Sequence, residues 1–144
     1  MAPGLIDLLR AAGCAESFVE ARLAAVGLSL PKLTALNRLV EAGDALPLGQ
    51  LADRLACVKS NVTQLVERLE VDGLVSCATD PGDRRSRLAL ITASGRTAHE
   101  RGQTICREAE RELFDVLSPG EARAFAEIIT KLGRVRSRDL APDR

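Results

Sequence analysis

Between Gln50 and Thr92 the chain sets short hydrogen-bonding side chains and arginines at spacings that suit nucleic acid. Ser60, Asn61, Thr63 and Gln64 carry donors and acceptors of a length that reaches base edges, whereas Lys59 and Arg68 suit backbone phosphates. Further on, Asp80-Pro-Gly-Asp-Arg-Arg-Ser-Arg87 gathers Arg84, Arg85 and Arg87 beside Asp83. Arginines on a protruding arm suit a minor groove, where the negative potential draws guanidinium groups.

These side chains need elements to hold them. Val58, Val62, Leu65, Val66 and Leu69 recur at helical spacing, so one face of that helix packs while the polar residues point elsewhere. Gly49 to Ala56 reads as the preceding short helix, giving a helix-turn-helix. Gly73 suits a helix C-cap, and Leu74-Val-Ser-Cys-Ala78 starts a β-prone run directly after it. Asp80-Pro81-Gly82-Asp83 fits a type II turn, with proline fixing φ and glycine accepting φ > 0. The return strand is expected from about Ser86 to Ile91, anchored by Leu88, Leu90 and Ile91. Taken singly, the helix also suits a protein that never meets nucleic acid and the arginine turn also suits plain solvation. Their succession favours a DNA reader.

Leu51-Ala-Asp-Arg-Leu55, Asn61-Val-Thr-Gln-Leu-Val-Glu-Arg-Leu69, Asp72-Gly-Leu-Val75 and Asp80-Pro-Gly-Asp-Arg-Arg85 resemble the MarR family of bacterial transcription regulators. Asp83 and Arg85 match that family's Asp-x-Arg wing pattern, which continues here through Ala89, Leu90, Ile91 and Thr92. The resemblance implies that Arg85 enters the minor groove, that Asp83 holds its guanidinium, and that Arg84 and Arg87 take phosphates. Two positions depart from the pattern. Val58 stands where a capping serine is frequent, so capping would pass to Ser60, and Gln64 stands where arginine is frequent.

Outside this segment, helices are expected from Leu5 to Val26 and from Pro31 to Ala42, with Leu46-Pro-Leu48 extended. A long helix follows Thr92-Ala-Ser-Gly-Arg96 to about Leu117. Ser118, Pro119 and Glu121 then mark a restart as N-cap, N1 and N3 of a last helix to about Arg138. Ala122, Phe125, Ala126, Ile128, Ile129 and Leu132 cover more than a narrow stripe, which a second subunit would bury. A monomeric bundle is the alternative. Two-fold symmetry would place paired recognition helices in successive major grooves, on a pseudo-palindrome with half-sites about 10–10.5 bp apart. The expected fold is mainly α with a small β-hairpin wing. It is a single domain over 1–144, with a winged helix-turn-helix lobe at 31–96 and dimerisation helices at 1–30 and 97–138.

The chain has 144 residues and zero formal charge, so a basic surface must be local. Between Gly49 and Arg96 seven basic side chains face six acidic ones, a balance of only +1. No long apolar span appears, and Leu5, Ile6, Leu8 and Leu9 are interrupted by Asp7 and Arg10, as in an amphipathic helix. A cytoplasmic protein without a membrane segment is expected. Cys14, Cys57, Cys77 and Cys106 form no C-x-x-C pair and His99 is the one histidine, so neither a zinc site nor another cofactor is expected. With no Ser/His/Asp spacing and no phosphate-cradling glycine loop, no enzyme is expected.

The resemblance adds two regulatory expectations. Some members of the family sense hydroperoxides through a cysteine on the first helix, where Cys14 lies, although they lean on tyrosines that this chain lacks. Others bind small anionic or aromatic effectors between the dimer helices and the DNA-reading lobe. With no Trp or Tyr and three Phe, an Ala/Leu/Val pocket with Arg10 or Arg22 is expected here. The function expected is that of a homodimeric repressor of double-stranded operators, released by a small molecule or by cysteine oxidation. The alternative is a winged-helix protein-interaction module with little DNA affinity.

Overall fold

A computed structural model describes residues 4–55 and 59–139. The elements run α1 Leu5–Ala24, α2 Leu30–Glu41, β1 Ala45–Pro47, α3 Leu48–Leu55, α4 Lys59–Val71, β2 Val75–Asp80, β3 Asp83–Ile91, α5 Ala93–Phe114 and α6 Pro119–Asp139. The fold is mainly helical with a small antiparallel sheet, as expected. The chain divides into two compact units, one ending at Arg107 and the other starting at Glu108, both within the range of α5.

In the first unit, α2 starts where Ser29 Oγ accepts the Lys32 N–H at 3.3 Å, and the Glu20 carboxylate on α1 accepts the Leu30 N–H at 2.5 Å. It ends in two consecutive left-handed residues, Gly43 at φ 81° and Asp44 at φ 84°. The core gathers Leu23 of α1, Leu36 and Leu39 of α2, Leu51 of α3 and Leu69 of α4, all fully buried.

The expected extended piece after α2 is the third strand of the sheet, whose order is β1-β3-β2. Leu46 and Cys77 both lie opposite Ala89, and Val75 opposite Ile91. Ala89 and Ile91 are the buried residues of β3, whereas Leu88 and Leu90, expected as its anchors, are only half-buried. The alternation of a strand explains this, since Leu88 and Leu90 share the face opposite to Ala89 and Ile91.

Two expectations about the hairpin need correction. Gly82 is not among the positive-φ glycines, so the turn is not type II. Instead Asp80 Oδ1 accepts the Gly82 N–H at 2.9 Å, and this side-chain bond closes the turn without a left-handed residue. The return strand also begins at Asp83 rather than Ser86. Asp80 pairs with Asp83 and Thr79 with Arg87, so Arg84, Arg85 and Ser86 form a bulge with no counterpart on β2.

The second unit contains the end of α5 and α6. Ser118 and Glu121 form the full capping box that the sequence announces. The Ser118 N–H donates to Glu121 Oε2 at 2.8 Å and the Glu121 N–H to Ser118 Oγ at 3.2 Å. Phe114 and Phe125 pack with ring centroids 5.4 Å apart.

Candidate nucleic-acid interface

Helix α4 shows why its outer face is free. Val62, Val66 and Leu69 are buried and Leu65 half-buried, so the core claims one side of the helix. Asn61, Thr63, Gln64 and Arg68 are exposed as expected, and Asn61, Gln64 and Arg68 fall on one stripe by their spacing. Lys59 and Ser60 lie in the first turn of α4. Val58, expected before the helix, lies outside the described residues, as does Cys57.

Two polar ties hold the C-terminal end of this helix. Lys32 Nζ at the start of α2 pairs with Asp72 Oδ2 just past the end of α4 at 2.7 Å. Glu70 Oε2 accepts the Cys77 N–H of β2 at 3.1 Å. The Lys32 ammonium also offsets a carboxylate placed unfavourably at the negative end of the α4 dipole. Burial and the Glu70 carboxylate together push the Cys77 thiol above its ordinary range.

Arg84, Arg85 and Arg87 are all exposed on the hairpin. Arg87 sits in regular register opposite Thr79, while Arg84 and Arg85 occupy the bulge, a device that re-aims side chains. Asp83 does not bind the Arg85 guanidinium. Its Oδ1 accepts the Arg85 backbone N–H at 3.0 Å. The carboxylate thus satisfies a donor that the bulge removes from the ladder, and the guanidinium extends from a braced backbone.

The remaining candidates divide. Arg10 and Arg22 stand twelve residues apart on α1, about 18 Å along the axis, so they belong to separate places on the helix. Arg22 instead lies over the Phe18 ring, 4.1 Å from its centroid. Cys14 is exposed on α1, with no described side chain bonded to it. His99 Nε2 lies 3.1 Å from Asn37 Oδ1, and Gln103 Nε2 donates to the same oxygen at 3.1 Å, as expected of a satisfied histidine. Among the described residues no His/Cys/Asp/Glu group could hold a metal ion, and no helix is long and apolar enough to cross a membrane.

Sequence reading missed the residues that lock these elements together. Thr92 Oγ1 donates to the Gly73 carbonyl at 2.7 Å and accepts the Gly95 N–H at 3.0 Å, joining the C-cap of α4 to the N-terminus of α5. Arg96 pairs with Asp44 across 52 positions of sequence. The one local signal for the second pair is Gly43-Asp44 directly after a helix, a place for left-handed backbone.

Known proteins share this arrangement. The model of the MarR family matches residues 26–86, which hold α2 through the bulge of β3. The transcriptional activatory protein BadR of Rhodopseudomonas palustris is 43% identical over 68 residues, 47% of this chain and 38% of BadR. The uncharacterized HTH-type transcriptional regulator YcgE of Bacillus subtilis is 30% identical over 109 residues, covering 69% of this chain and 70% of YcgE. The solved structure of Bordetella bronchiseptica BpsR, whose DNA binding is regulated by 6-hydroxynicotinic acid, superposes with a TM-score of 0.76 at 25% identity. It covers 88% of this chain and 95% of BpsR. The chain thus spans less than two-fifths of BadR but most of YcgE and BpsR. With an exposed polar stripe on α4, a braced arginine wing and these likenesses, the chain belongs to the MarR family of DNA-binding transcription regulators.

Proposed function

We propose that the chain acts in the cytoplasm as a homodimeric repressor of pseudo-palindromic operators, relieved by a small organic acid. The observation that carries the reading is the pairing of the α4 stripe with the braced Arg85 hairpin. In this reading Asn61, Thr63 and Gln64, with Ser60, read base edges in the major groove, while Lys59 and Arg68 meet phosphates. Arg85 enters the minor groove, and Arg84 and Arg87 take flanking phosphates.

Dimerisation is supported by apolar surface on two helices. On α1, Leu5 is 70% and Ile6 65% exposed; on α6, Ile128 is 52% and Leu132 48% exposed. Side chains of this kind in contiguous sets favour a subunit partner. Effector control is supported by a cleft of about 420 Å³ in the first unit. Val26, Leu28, Leu74 and Ala98 give it an apolar floor, and Ser94, Thr97 and Arg101 line it, with Arg101 bonded to no described residue. An apolar acid fits that lining, and binding would shift the population of DNA-competent dimers. This cleft replaces Arg10 and Arg22 as the proposed effector site. Oxidative release through Cys14 has no support from its surroundings.

Transcript profiling of a strain lacking the gene tests the sign of control. Repression predicts raised transcripts from genes whose promoters the protein binds; lowered transcripts would make it an activator, as BadR is named. A second reading, a winged-helix protein-interaction module, draws on the near-neutral balance of Gly49 to Arg96. It predicts no change at any promoter and no retention of DNA.

A further inference from the structure

Among the described residues, Asp44 is the one non-glycine with positive φ, at 84°. An L side chain is strained there, and glycine would adopt the same backbone freely. Asp44 nevertheless holds three elements at once. Its N–H donates to the Leu39 carbonyl of α2 at 2.8 Å, its carbonyl accepts the Ile91 N–H of β3 at 2.9 Å, and its carboxylate pairs with Arg96 in the first turn of α5. The backbone roles are open to any residue; only the carboxylate needs aspartate.

The same turn of α5 is bolted to α4 on its other side. The Thr92 N–H donates to the Leu74 carbonyl at 3.1 Å, and its hydroxyl joins Gly73 and Gly95. The start of α5 is therefore fastened to the end of α2 through Asp44 and to the end of α4 through Thr92. Arg96 directs its charge to a carboxylate of the same chain, and α5 runs from Ala93 to Phe114.

We propose that Asp44 and Arg96 are positioning residues for operator recognition, fixing the direction in which α5 leaves the DNA-reading elements and thereby the half-site spacing that the dimer accepts. The inference rests on the proposed dimeric reading of DNA. It gives the strained aspartate a purpose that stability does not, because the pair is exposed, 55% at Arg96 and 38% at Asp44. An exposed ion pair biases an equilibrium by no more than about fivefold, so the joint tunes a preference and does not hold the fold.

The test uses duplexes selected by the wild-type protein, remade with the two half-sites moved closer or further apart by one base pair. Wild type is expected to favour one spacing. Asp44→Asn, Asp44→Gly and Arg96→Ala are expected to lower that preference by about threefold to fivefold while the dimer forms normally. Asp44→Gly is expected to melt at or above the wild-type temperature, since it relieves the backbone as it removes the carboxylate. The salt dependence of Arg96→Ala should match wild type, because Arg96 neutralises Asp44 and no phosphate. An unchanged spacing preference in variants that fold and dimerise overturns the proposal. So does a salt slope reduced by about one in Arg96→Ala, which would make Arg96 a phosphate contact. If wild type itself retains no DNA, the functional reading has failed and this inference falls with it.

Discussion

The carboxylate of Asp83 accepts the backbone N–H of Arg85 at 3.0 Å, inside a bulge that has no counterpart on the neighbouring strand. An aspartate two residues before the arginine therefore stiffens the arm without consuming the arginine's charge. In this account Arg85→Ala weakens operator binding by about 1–3 kcal/mol, roughly fivefold to 150-fold, and leaves dimerisation intact. Asp83→Ala keeps the guanidinium but frees the backbone, so it should weaken binding by less. Fluorescence anisotropy with a selected duplex separates the two.

Gly95 lies so close to the end of α4 that a Cβ would overlap the Leu74 carbonyl oxygen. The neighbour is backbone held in a hydrogen bond from Thr92, and it cannot swing aside. Gly95→Ala should therefore destabilise by at least about 1–3 kcal/mol in a denaturant melt, and Gly95→Val by more. Equal stability of Gly95→Ala and wild type would contradict this packing.

What the sequence discloses and what it hides have different physical causes. The α6 capping box was legible because Ser118 and Glu121 act on each other within one turn. The faces of α4 were legible because burial follows helical spacing. The type II turn was misread because Asp80 closes the turn with its own side chain, which the Pro-Gly pair masks. The bulge at Arg84 and Arg85 was hidden because it depends on register against β2. The Asp44 and Arg96 pair was hidden because it joins residues 52 positions apart.

Acid should weaken the start of α6. Hydrogen bonds from the Ser118 backbone and side chain hold the Glu121 carboxyl below its ordinary value. A carboxylate depressed on folding contributes stability above its unfolded pKa of about 4.3, and that contribution is lost as pH falls through the folded value. Glu121→Gln keeps the capping geometry and cannot titrate, so it should flatten this acid dependence in circular dichroism. Ser118→Ala should cost about 0.5–2 kcal/mol at neutral pH.

Cys14 is exposed on α1, and among the described residues no side chain is bonded to it. Peroxide treatment should leave operator binding unchanged in wild type and in Cys14→Ser alike. Release of wild type alone would establish a redox sensor and contradict the account.

Selection of randomised duplex DNA by the purified protein at two salt concentrations, followed by sequencing of the retained fraction, tests the central claim most directly. The account predicts a pseudo-palindrome with half-sites about one helical turn apart and retention that falls as salt rises. Retention without an enriched sequence, or no retention at either salt concentration, would contradict it.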